Sequence, residues 1–189
     1  MGEQPCKETS KDLLKKGDHI CSDRLNGIFY HHGIYFGHGL VIHLKGPRKG
    51  TGKFISSSSA MKSSSSSGWK SACPFSRQRF QNSIEGGIVI TCVDCFLDGH
   101  SLYVYDYKCS AVSWYVEEQM SSVKSPQDVV DLAYGELYGN NIFGGYDLLD
   151  RNCEHFGTYC KTGVAFSMQS LWVRATRKII SPWLKHFGF

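Results

Sequence analysis

Apolar positions alternate through the first two thirds of this chain and then fall into helical spacing. His19-Ile20-Cys21, Tyr30 to Leu44, Gly87 to Val93 and Leu102 to Tyr107 are short runs rich in β-branched and aromatic residues. Glycine, asparagine and aspartate bound them, and Asp98-Gly99 turns the third run into the fourth. That composition is the mark of strands. Ser125-Pro126-Gln127-Asp128 then opens a helix with Pro126 at its first position; Val129, Ala133 and Leu137 line one face, and Gly139 closes it. A loop over residues 140–150 carries Tyr146, Leu148 and Leu149 to a second helix. Asn152 is its N-cap, Glu154 lies in its first turn and Gly163 is its stop. The pattern predicts an α+β fold, an antiparallel sheet packed on helices.

Residues 30–44 predict two strands joined through Gly37-His38-Gly39. Alternation puts His31, Gly33 and Tyr35 on one face and His32, Ile34 and Phe36 on the other. A loop centred on His38 sets Gly33 opposite His43, so that His43 shares a face with His31. An even-numbered loop slips the register and gives His43 the face of His32 instead. Spacing alone leaves both open. The second helix begins at Cys153, where unpaired backbone N–H groups and the positive end of the dipole lower a thiol pKa and favour the thiolate. Such a nucleophile needs a base, and the base needs a third group to orient it. Two histidines on one hairpin face would supply both. No short Cys/His ligand spacing for zinc surrounds the cluster.

His31-x-Gly-Ile-Tyr, His43 twelve residues later, and Asn152-Cys153-Glu154-His155-Phe156 together resemble the signature of the lecithin:retinol acyltransferase-like family. That family is a branch of the NlpC/P60 thiol hydrolases with a circularly permuted papain-like core. Gly17-Asp18-His19-Ile20 resembles its first strand, and the similarity spans roughly residues 13–163 and is nearest to plant-type members. It implies Cys153 as nucleophile, His31 as general base and His43 as the orienting residue. It also implies the register that favours His31, with His32 as packing or solvent-facing. Asn152, Tyr35 and Glu154 complete the implied substrate and oxyanion environment, the oxyanion lying near the Cys153 amide. The implied reaction is acyl transfer from a glycerophospholipid or related lipid ester through a thioester, to water (a phospholipase A outcome) or to an alcohol or amine. No cofactor and no metal are implied. Two other functions keep the same fold. A peptidase or amidase of the wider NlpC/P60 group would use the same triad, against the absence of a secretion signal or cell-wall-binding repeats. A non-catalytic membrane-associated or signalling adaptor would have no need of Cys153, His31 and His43 together.

With 189 residues, the chain suits one cored domain. Residues 13–163 form the expected catalytic domain, after a flexible N-terminus over 1–12. A serine-rich disordered insertion spans 56–67, and a tail covers 164–189. Eight cysteines without a secretory leader predict thiols in a cytoplasmic setting. Acylation of Gly2 or Cys6 matches its motif poorly. Cys92-x-x-Cys95 could bind zinc with Cys73 and Cys109 or His100, but a second close pair is missing, so buried thiols are the expectation. The net charge of +4 is uneven: no acid follows Glu154, and Lys161, Arg174, Arg177, Lys178 and Lys185 give +5, leaving −1 before them. Residues 166–180 can be drawn as an amphipathic helix. Trp172, Arg174, Arg177 and Lys178, with Trp183 beyond Pro182, are the candidate contacts with an anionic membrane surface. The plainer alternative is a terminal helix packed on the domain. There is no nucleic-acid module and no 18-residue apolar run.

Overall fold

A computed structural model describes residues 6–47, 86–108, 123–139 and 142–186, with the side chains of 178–186 outside the description. Among these residues six strands form one antiparallel sheet in the order β1-β6-β2-β3-β4-β5. They are β1 Cys6–Glu8, β2 His19–Asp23, β3 Tyr30–Gly37, β4 Leu40–Lys45, β5 Gly87–Cys92 and β6 Leu102–Tyr105. The helices are α1 Val93–Leu97, α2 Pro126–Tyr138, α3 Cys153–Thr162 and α4 Met168–His186. The α+β architecture is the one the residue pattern predicts, and it is that of a papain-like domain.

Alternation along the strands gives the sheet two apolar faces. On one, Ile34, Ile42, Leu44 and Ile88 meet Val129, Val130, Ala133 and Leu137 of α2 and Phe156 and Cys160 of α3. Phe156 and Val129 are fully buried, and burying a side chain of that size stabilises by about 1.5–3 kcal/mol. The other face is covered by α1, whose Phe96 and Leu97 pack on Ile20, Val41 and Leu102. The α2 boundaries follow the sequence signals: Ser125 Oγ accepts from Asp128 N, Pro126 starts the helix, and Gly139 ends it at a φ of 134°.

Several expectations are corrected. The N-terminal segment is not loose throughout, because Cys6, Lys7 and Glu8 pair with Tyr105, Val104 and Tyr103. A single 3₁₀ turn follows at Lys11–Leu13. A charged three-residue edge strand has too little alternation to be read from sequence. Cys6 is disulfide-bonded to Cys21, so neither is the expected thiol. Val93 opens a helix rather than ending β5, and β6 stops at Tyr105. The serine-rich stretch 56–67, Cys73 and Cys109 lie outside the described residues.

One close approach fixes α3 against the sheet. A Cβ on Gly157 would lie 2.2 Å from Nε2 of His19, a residue buried on β2. In a free helix interior Gly→Ala stabilises by about 1 kcal/mol. Gly157→Ala is expected to reverse that sign and destabilise by about 1–3 kcal/mol through overpacking. Urea unfolding of the variant decides it; a gain in stability would separate His19 from α3.

Candidate active site

The site is built from a turn that closes on itself. Asp147 and Arg151 exchange backbone hydrogen bonds of 3.0 Å each, and the Asp147 carboxylate accepts the amides of Leu149 and Asp150. The next residue, Asn152, caps α3: its Oδ1 accepts from Glu154 N and His155 N, and His155 Nδ1 returns a bond to the Asn152 amide, completing a capping box. Cys153 is thereby the first residue of the helix, as the sequence predicts, and Gly163 closes the helix in a left-handed conformation.

The sheet is interrupted where that helix begins. β3 and β4 pair at Ile34–Ile42 and Tyr35–Val41, and the ladder goes no further toward Tyr30. On the other side of β3 the pairing with β2 continues to Tyr30, with Arg24 N donating to Phe29 O and Tyr35 N to Asp18 O. Alternation then turns the backbone groups of Tyr30 and His32 away from β2, toward the gap. Gln169 fills it: its Oε1 accepts from Tyr30 N at 2.8 Å and its Nε2 donates to Tyr30 O at 3.2 Å. The Cys153 thiol donates to the same Tyr30 carbonyl, at 3.8 Å.

On one face of the sheet His31 and His43 meet, Nε2 to Nδ1 at 2.8 Å, and His43 Nε2 lies 3.0 Å from Thr91 Oγ1. Phe96 lies beneath both rings, 5.2 Å from each and stacked on His31. A Cβ on Gly33 would come within 3.0 Å of His43 Cβ and of Phe96, so a glycine here lets this cluster close. The hairpin reaches the register that pairs these histidines by an unexpected route. The loop is the even one, His38-Gly39, with φ of 51° and 73°, values that fit a type I′ turn. A bulge between Tyr35 and Gly37 then slips the strand back by one residue.

The opposite face holds a buried polar network that the sequence did not disclose. His32 Nδ1 bonds His19 Nε2 at 3.0 Å, its Nε2 lies 3.0 Å from Gln169 Nε2, and His19 Nδ1 bonds Tyr107 Oη at 2.7 Å. Glu154, fully buried, accepts from Ser167 Oγ at 2.6 Å and from the amide and side chain of Gln169, and its Oε1 accepts from Tyr105 Oη. His32 is therefore neither solvent-facing nor simple packing. The Glu154 carboxylate ties α3 to Ser167, to the start of α4 and to β6. The Asn152 side chain is equally occupied, donating to Leu148 O, Ser167 Oγ and Ser170 Oγ. Tyr35 accepts from Gly39 N at the far end of the hairpin, four residues and about 13 Å along the strand from His31. In this structure all three side chains are engaged within the protein itself. The tail assignment changes too, since Phe166 to Ser170 belong to the core around Cys153 and the free helix begins after them.

Burial works against the expected thiolate. Burial pushes the Cys153 thiol up to about 12; the amides of His32, Glu154 and Cys153 pull it down and are outweighed. Desolvation of a charge wins over the helix start. His31 is held well below its ordinary value by burial, then by His43 and Arg24, and His43 is lowered to about 3, so both rings are neutral at pH 7. Arg24 bonds Phe96 O and pairs with Asp98; burial lowers its pKa, opposed by Asp98 and then Cys153. No sequence signal pointed to Arg24, Gln169 or Thr91. The structure brings His31 to His43 directly, but no hydrogen bond joins either ring to the Cys153 sulfur.

Of the candidate membrane contacts, Trp172 is 48% exposed between Leu171 at 45% and Val173 at 41%. Arg174 is ion-paired with Asp150, and Arg177 is exposed. The side chains of Lys178 and Trp183 lie outside the description. Among the described residues no helix is long and apolar enough to cross a membrane. No group of three or more His, Cys, Asp or Glu among them could hold a metal ion.

A family model described as Lecithin retinol acyltransferase matches residues 12–166. The Arabidopsis thaliana protein named Protein LEAD-SENSITIVE 1 is 36% identical over 160 residues, which cover 82% of this chain and 60% of that protein. The chain thus spans three fifths of the length of this curated relative.

A raised thiol pKa means that Cys153 is protonated at neutral pH and ionises only in strong base. Its alkylation by iodoacetamide is expected to be slow at pH 7 and to rise about tenfold per pH unit to pH 10. Mass mapping of the Cys153 peptide gives the profile, and a plateau below pH 8 would restore the resting thiolate.

Proposed function

This chain belongs to the lecithin retinol acyltransferase family, and on that premise we propose that it is a thiol-dependent lipid acyltransferase or acyl hydrolase working through a thioester on Cys153. The observation that carries the reading is a helix-start thiol hydrogen-bonded to Tyr30 O, one residue from a histidine chain running His31, His43, Thr91. For His31 to act as base, its Nε2 donates to His43 Nδ1 and His43 Nε2 donates to Thr91 Oγ1. That leaves the lone pair on His31 Nδ1 for the thiol proton. Because both partners rest neutral, proton transfer accompanies attack rather than preceding it. Sulfur adds to the ester carbonyl, and the oxyanion is held by the amide at the helix start. Collapse expels the alcohol, which takes the proton back from His31. Water or another acceptor, deprotonated by His31, then attacks the thioester and restores the thiol.

A lipid ester as donor is supported by the surface beside the site. Leu171, Trp172 and Val173 are exposed on α4, and Arg174 ties that helix to Leu149 O and Asp150, in the turn that delivers Cys153. Apolar and basic side chains together suit an anionic membrane surface.

Incubation with phosphatidylcholine vesicles, read by intact mass and fatty-acid release, tests the chemistry. Wild type is expected to gain an acyl-sized mass, and Cys153→Ala none. His31→Ala is expected to lose about 10²–10⁴-fold in rate while remaining folded by far-UV circular dichroism. His32→Ala is expected instead to cost about 1–3 kcal/mol of stability by stranding buried partners. Absence of both adduct and fatty acid would favour the adaptor. Flotation with anionic vesicles tests the surface: Trp172→Ser with Arg177→Ser is expected to weaken binding, and the remaining wild-type binding to fall as salt rises. Unchanged flotation would return α4 to packing alone.

A further inference from the structure

Cys92 and Cys95 occupy the two ends of one turn. Cys92 is the N-cap of α1, and its Sγ accepts the amide of Cys95 at 3.4 Å. Both are half-buried and neither is disulfide-bonded. Their chain neighbours are the residues that hold the histidine pair. Thr91, just before Cys92, bonds His43, and Phe96, just after Cys95, lies against both His31 and His43. The turn is also tied to the hairpin, since Val93 N donates to Gly39 O at 2.9 Å.

We propose that Cys92 and Cys95 form a dithiol–disulfide site for low-molecular-weight disulfides, and that its state is passed to the His31–His43 pair through Thr91 and Phe96. Cys92 attacks first, from the open start of the turn, where its sulfur accepts the Cys95 N–H. Its thiolate displaces one thiolate from the small disulfide and forms a mixed disulfide. The Cys95 thiolate then attacks the Cys92 sulfur, forms the Cys92–Cys95 bond and expels the second small thiolate. Two protein thiols are oxidised, one small disulfide is reduced to two thiols, and the two protons go to the two leaving groups. Cys92 is extended where Cys95 is helical, and a disulfide requires their Cβ atoms about 3.5–4.5 Å apart. Closure fixes the turn at that geometry, and Thr91 and Phe96 flank the segment it constrains.

The site stands independently of any acyl chemistry, and so does its test. The full chain is equilibrated in glutathione–glutathione disulfide buffers, digested after thiol blocking and mapped, while the His43 ring signals are followed by NMR. The expected result is loss of two hydrogens from the peptide holding residues 92–95, and a glutathione adduct at Cys92 in Cys95→Ser. The His43 signals are expected to shift on oxidation in wild type and not in Cys92→Ser. Serine is itself a good N-cap, so that variant keeps the turn. A 92–95 peptide that stays reduced in excess glutathione disulfide overturns the site. A disulfide that forms without moving the His43 signals overturns the coupling.

Discussion

The arrangement of this molecule depends on one strand that outruns its neighbour. β3 continues to Tyr30 after its ladder with β4 has stopped at Ile34–Ile42. A buried backbone amide and carbonyl left without partners would each cost on the order of 1–3 kcal/mol. The side chain of Gln169 satisfies both at Tyr30, and the same carbonyl receives the Cys153 thiol. The gap between two strands thus becomes the seat of the most distinctive thiol in the chain, and α4 is needed to close it. Helix start, strand end and tail helix meet at one peptide group.

Around that group the alternation of side chains along paired strands puts two pairs of histidines on opposite faces of the sheet. His31 and His43 face Phe96 and Thr91, while His19 and His32 face Glu154, Gln169 and the tyrosines. Both sets are desolvated and neutral, but they differ in what surrounds them. The second is saturated with hydrogen bonds and holds α3, α4 and the sheet together. The first has one ring nitrogen, Nδ1 of His31, with no hydrogen-bond partner among the described residues. Burial raises the thiol and lowers the imidazoles, so it opposes charge separation at rest.

Legibility from sequence followed the range of each interaction. Local chemistry was readable: Ser125, Pro126 and Gly139 bounded α2, and Asn152 and Gly163 bounded α3. The facing of His31 and His43 was left open by spacing and implied only by the resemblance; a bulge and an even turn produce that register, where a symmetric odd loop had been the simpler route. What stayed hidden was set by partners far along the chain. Glu154 reads as a first-turn acid, yet Ser167 and Gln169 claim its carboxylate. Gln169 reads as a polar position on an amphipathic helix, yet it completes the sheet. The strand Cys6–Glu8 was missed because three residues, two of them charged, carry no period, and the start of α1 because Val93 was read as the end of the strand before it.

The tie between Gln169 and Tyr30 bears on where the working unit ends. The family match closes at residue 166, whereas the groups that cap Tyr30, Asn152 and Glu154 come from Ser167, Gln169 and Ser170. A boundary drawn from recurring sequence would leave those three residues out and open the wall behind Cys153 to water. Judged by hydrogen-bond completeness, the smallest self-sufficient piece of this chain reaches at least to Ser170.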